Sequence, residues 1–290
     1  MSAIADTRPA SESALPPVPI TLEGSAVLHQ MMRVRWPAWK ALSAGDRAAI
    51  AEEAAAAIRE MEGNGTGQSA LFSMLGHKAD LMLLHFRNDF AELKAIELRL
   101  TALRLWDYLE LAHSYVSVVE LGLYESTAKV YAQLAASGVD PFSEEWNASI
   151  ADTIARQREA MKPRLWPEMP PQRYVCFYPM DRKRGEENNW YSLPMAERQR
   201  QMHDHGKVGR RYAGQVKQII SGSIGLDDWE WGVTLFAEDP LLFKRLIYEM
   251  RFDKVSAVYA LFGSFFVGLR CPASQLARVL GGEAPRIVQG

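Results

Sequence analysis

One order of elements constrains this chain more than any other feature. Between residues 173 and 269 the apolar pattern switches between period two and period 3.6, giving strand, helix, strand, strand, helix, strand. The segments are RYVCFYPM, a helix from Pro194 to about His205, GQVKQIISGS, DWEWGVTLFAED, a helix from Pro240 and FGSFFVGL. That order specifies a ferredoxin-like unit: a four-stranded antiparallel sheet with both helices on one face. The bare face must find a second layer.

The first half offers one. DRAAIAEEAAAAIREME at 46–62 places Ile50, Ala54, Ile58 and Met61 at helical spacing; SALFSML and DLMLLHF read as strands, a helix starts at Asn88 or Asp89, and SYVSVVEL reads as a strand. This is the same order with its opening strand unassigned. The expected class is therefore α+β, two ferredoxin-like halves forming a dimeric α+β barrel within one subunit. The boundaries expected are a Ser- and Pro-rich mobile tail at 1–25, the halves at 26–124 and 172–270, a helical connection at 125–171 closed by Pro163, Pro167, Pro170 and Pro171, and a second tail at 271–290.

Composition narrows the function classes. With 33 Lys and Arg against 35 Asp and Glu, the chain lacks the basic excess of a nucleic-acid binder, although a local surplus can hide inside a balanced total. Cys176 and Cys271 are too few for a disulfide framework and form no CxxC pair. No apolar run is long enough to span a membrane, and the N-terminus lacks signal-peptide character. A cytoplasmic protein is expected.

Several residues stand out against a bland core. Alternation puts Tyr174, Cys176, Tyr178 and Met180 on one strand face and Val175 and Phe177 on the other. Tyr178 is either a strand-end tyrosine in solvent or a cavity residue. His203 and His205 lie two residues apart near the expected helix end, pointing roughly 200° apart, so only one enters a shared pocket; either one also suits a helix terminus as a partner of the macrodipole. No histidine spacing indicates zinc. Gln218 shares a face with Val216 and Ile220, as a structural tie or a substrate contact. The cations of DRKR at 181–184, with Arg210, Arg211 and Arg251, suit carboxylates or phosphates, or simply a solvated loop. The glycines of SGSIG and VGRRYAG lack a dinucleotide-binding context.

Together the strings YPM at 178–180, NWYSLP, HDHGKVGRRYAGQVKQIISGSIGLDDWEWGVTLFAEDP and YEMRFDKVSAVYALFGSFFVG resemble the coproheme decarboxylase branch of the chlorite dismutase-like family. The likeness is dense over the C-terminal 110 or so residues and looser in SYVSVVEL. It implies hydrogen peroxide-dependent oxidative decarboxylation of two propionates of coproheme (iron coproporphyrin III) to vinyls, through a three-propionate intermediate, giving haem b in haem biosynthesis. It also implies a homopentamer and a possible contact with coproporphyrin ferrochelatase. By position His205 matches the proximal iron ligand, Tyr178 the redox-active tyrosine and Gln218 the distal residue. Arg164, Met180, Arg251 and Ser256 match positions near the propionates, as do Tyr115 and Ser117 more loosely. The chain departs from the family where a lysine is usual: Arg182 stands there, followed by Lys183, and a planar guanidinium does not reproduce an ammonium. The resemblance leaves a non-catalytic haem carrier or sensor and a chlorite dismutase as alternatives. The neutral Gln218 weighs against the latter, because relatives that degrade chlorite carry a distal arginine.

Overall fold

The computed structural model describes residues 16, 18–63 and 67–286. The first half runs β1 (Thr21–Val34), α1 (Trp36–Ala41), α2 (Ala44–Glu62), β2 (Gln68–Met74), β3 (Leu81–Arg87), α3 (Phe90–Thr101) and β4 (Leu109–Gly122). Ser43 caps α2 by accepting the Asp46 N–H, and Asp89 caps α3 by accepting the Glu92 N–H. Next come α4 (Tyr124–Ala136), α5 (Glu144–Ala160) and the single turn α6 (Lys162–Leu165). The second half is β5 (Tyr174–Arg182), α7 (Met195–Arg211), β6 (Lys217–Gly222), β7 (Trp231–Ala237), α8 (Leu241–Met250), β8 (Ala260–Phe262), β9 (Phe266–Arg270) and α9 (Leu276–Leu280).

All ladders are antiparallel, and the sheet closes on itself. The order is β7-β6-β4-β1-β3-β2-β9-β5, with β5 pairing back to β7 and β8 flanking the far end of β5. The halves meet at two seams, β4 with β6 and β2 with β9. Inside the ring pack Val27, Phe72, Leu84, Val175, Phe177, Phe236 and Phe266. The α2 helix covers the outer face of the first half, and α7 and α8 cover that of the second. The alternation expected along β5 holds: Val175 and Phe177 face the inside, while Cys176, Tyr178 and Met180 face the helices.

Four expectations are corrected. The supposed tail at 1–25 contains the start of β1, the strand unassigned in the first half; the rest of it up to residue 15 lies outside the described residues. The supposed tail from 271 is packed: Cys271 and Leu276 are fully buried in the α2 core, and the Trp39 indole donates to the Leu280 carbonyl at 2.9 Å. FGSFFVGL spans two strands rather than one. Finally, α7 continues to Arg211, so His203 and His205 sit inside it and a helix-terminal role falls away.

Candidate functional site

The outer face of β5, β6 and β7 packs against α8 and the end of α7, and the π-turn Val255–Tyr259 packs against α7; the candidate site is this region between sheet and helices, called the crevice below. Its β5 wall is Tyr178, Met180 and Arg182, all of even parity and all buried. Lys183 has the opposite parity, and its N–H is tied to the Tyr259 carbonyl at 2.7 Å; Arg182, not Lys183, is therefore the cation facing the crevice.

On the helix wall His205 is partly buried and His203 is exposed, as the angular argument required. His205 Nδ1 lies 3.1 Å from Asp253 Oδ2, just beyond α8. Ser256 donates its N–H and Oγ–H to the same carboxylate, each at 3.0 Å. Burial pushes the Asp253 carboxyl up, but the donors from His205 and Ser256 outweigh it and hold the group below its ordinary value. An ionised Asp253 fixes the proton on Nδ1, which leaves Nε2 with a lone pair for a metal. Ser256, expected near a propionate, is here engaged in holding this carboxylate.

Gly209, one turn beyond His205, lets α7 approach β6 and α8 closely. A Cβ there would stand 3.5 Å from Met250 Cε and 3.6 Å from Gln218 Nε2, so the bare backbone of α7 faces the amide on β6. Tyr178 stacks on Phe265 with ring centroids 4.5 Å apart. Burial drives its phenol well above the ordinary tyrosine value, the neighbouring Cys176 adds to this, and Arg251 and Arg182 oppose it. The group is a neutral O–H donor at pH 7. The Cys176 thiol, pushed up to about 12 by burial, is equally un-ionised.

The Arg182 guanidinium is buried between the rings of Trp190 (5.2 Å) and Trp231 (5.9 Å), with Nη2 3.9 Å from Met202 Sδ on α7. Its Nη1 is buried without a hydrogen-bond partner. Arg251 is exposed, lies 3.7 Å over the Phe262 ring, and lines a cavity of about 420 Å³ beside α8 with Cys176, Phe243, Lys244, Ile247 and Phe265.

Three expected contacts are not gathered here. Tyr115 and Ser117 point into the barrel, on the opposite sheet face: the Tyr115 hydroxyl donates to the Trp229 carbonyl at 3.1 Å and Ser117 Oγ to Ser221 Oγ at 2.9 Å. The physical reason is register, since Val119 pairs with Ser221 and its odd-numbered companions face inward with it. Arg164 is exposed on α6, 3.9 Å from Met161 Sδ. Conversely, sequence reading missed Asp253, Trp190 and Gly209 as functional; Asp253 lies 48 residues from His205 and no local pattern links them.

A family model described as chlorite dismutase matches residues 47–271. The chain belongs to the chlorite dismutase family. Within the structures of similar fold, a haem-binding protein from Thermus thermophilus is 41% identical, with a TM-score of 0.78 over 92% of this chain and 98% of that one. A variant chlorite dismutase from Candidatus Nitrospira defluvii is 18% identical, with a TM-score of 0.66 over 89% and 95% of the two chains. The latter likeness concerns the chlorite dismutase fold alone. The mixed α+β architecture expected from the element order is the one these neighbours share.

Proposed function

We propose that this chlorite dismutase family member binds an iron porphyrin in the crevice of its second half, and that the porphyrin is coproheme, decarboxylated at two propionates with hydrogen peroxide to give haem b. The observation that carries the reading is the grouping of the Asp253-held imidazole of His205 with a buried cation, Arg182, which lies within electrostatic reach of both Asp253 and Tyr178 and has a vacant N–H. Haem binding by the Thermus relative supports the coarser half of it.

The residues fit such a group. His205 offers Nε2 to iron, α7 presents bare backbone at Gly209 one turn away, and the orphaned Nη1 of Arg182 suits a carboxylate. The bound iron porphyrin supplies the redox chemistry with peroxide as well as the carboxylates that are lost. Tyr178, kept protonated by burial, would give up an electron and a proton together and then take hydrogen from the propionate β-carbon; the carbon radical would pass its remaining electron to the peroxide-derived oxidising equivalent as carbon dioxide departs, leaving a vinyl. Each event consumes one hydrogen peroxide and one proton and releases one carbon dioxide and two waters. Arg182 and Arg251 hold carboxylates, and Gln218 presents an uncharged amide. A neutral amide stabilises an anionic oxychlorine species less than an arginine does, which disfavours chlorite dismutation.

The test is to load the protein with iron coproporphyrin III, titrate hydrogen peroxide and follow porphyrin mass. Loss of two carboxyl groups in steps is expected; intact coproheme on a fully loaded protein overturns the enzymatic reading in favour of a carrier. A homopentamer, a cytoplasmic site of action and a contact with the ferrochelatase belong to the same proposal, checked respectively by light scattering, cell fractionation and co-sedimentation.

A further inference from the structure

The residues 183–193 form a strap from β5 to α7 along the crevice rim, with Arg182 at its root and Trp190 and Tyr191 near its end. Backbone bonds pin it lightly: the Trp190 N–H reaches the Lys183 carbonyl at 2.9 Å, and Arg184 bridges to Asn189. Trp190 anchors its far end by packing on Val255 and Tyr259, and its polar contacts gather on one buried carboxylate, Glu230, just before β7.

Glu230 Oε2 accepts the Arg182 backbone N–H at 2.7 Å, its Oε1 faces Arg184 Nε at 3.7 Å, and the Tyr191 phenol is hydrogen-bonded to it. Its own N–H donates to Asp181 Oδ1 at 2.7 Å, and its carbonyl accepts the Ser223 N–H at 2.8 Å. Root, limb and end of the strap thus converge on one side chain. The choice of atoms matters. A carboxylate this close to an arginine ordinarily takes its guanidinium fork. Here it takes the backbone N–H of Arg182 and turns its other oxygen to Arg184, so Glu230 anchors Arg182 without occupying its guanidinium. The guanidinium stays between two indoles with Nη1 unpartnered.

We propose that Glu230 is a positioning residue that fixes the reach of the Arg182 guanidinium into the crevice and so sets the preference for a porphyrin rich in carboxylates. This rests on the porphyrin reading above. Affinities for iron coproporphyrin III and for haem b are to be measured by Soret titration in the wild type, Glu230→Gln, Arg182→Gln and the double variant, each checked for folding by circular dichroism. Glu230→Gln is expected to weaken coproporphyrin binding about tenfold, the scale of one charge-assisted contact, and haem b binding less than about threefold. The double variant is expected to bind no more weakly than Arg182→Gln, because the two act in series. Equal losses for both porphyrins, or a further tenfold loss in the double variant, would mean that Glu230 does not act through Arg182. If Glu230→Gln does not fold, Arg184→Gln and Tyr191→Phe each remove one limb, and an unchanged porphyrin preference in both overturns the proposal. Wild-type protein that binds coproporphyrin but leaves it intact with peroxide defeats the decarboxylase reading alone; protein that binds neither porphyrin defeats both.

Discussion

His205 and Asp253 show how much depends on which ring nitrogen carries the proton. With Asp253→Asn the anionic acceptor is lost, and haem affinity is expected to fall about 10- to 100-fold in a Soret titration. Tyr178→Phe is expected to retain porphyrin binding and lose decarboxylation, read as unchanged porphyrin mass after peroxide; normal turnover would remove Tyr178 from the chemistry. The paired faces of β5 are legible in the sequence because period-two alternation is a property of the chain itself, whereas the His205–Asp253 contact is a product of tertiary approach. Away from the crevice, His29 and His85 are wholly buried and burial lowers each to about 3. The unfolded chain binds those protons below about pH 6.5 while the folded one does not. Each histidine therefore costs up to about 1.4 kcal/mol per pH unit between about 6.5 and 3. Urea unfolding at pH 7 and pH 5 is expected to show the loss, and His85→Asn to lessen the slope.

Among the elements, β5 does two jobs at once. Its odd residues fill the barrel and its even residues wall the crevice, so substitutions on the two faces should separate. Phe177→Ala, inside, is expected to cost about 3–5 kcal/mol in stability by denaturant titration while leaving the crevice chemistry in place. On α7, Gly209→Leu is expected to leave the fold intact and block porphyrin uptake, because the new side chain would occupy the space in front of Gln218 and Met250. β1 and α9 escape sequence reading for different reasons. β1 begins just after a Pro-rich run and carries Gly24 and Ser25, with a register shift against β4 between Glu23 and Ala26, so its alternation is broken near its start. α9 is short and unremarkable alone; only its burial against α2 gives it a place. Tyr115 and Ser117 share a strand face by parity, but alternation does not say which face looks inward.

At the scale of the whole molecule, ring closure makes each half the other's edge. Loss of either half exposes β2 and β4, or β6 and β9, as unpaired strands. The two halves are therefore expected to unfold together, with calorimetric and van't Hoff enthalpies in agreement; two resolved transitions would show that the seams contribute little. The seams also set a clock for biosynthesis. β2 finds its outer neighbour only in β9, which leaves the ribosome roughly 195 residues later. At ordinary elongation rates of about 5–20 residues per second, that edge waits about 10–40 s uncovered. The interval is long enough for a neighbouring nascent chain to pair with it first, so the yield of folded protein is expected to depend on how far apart ribosomes are spaced on the message.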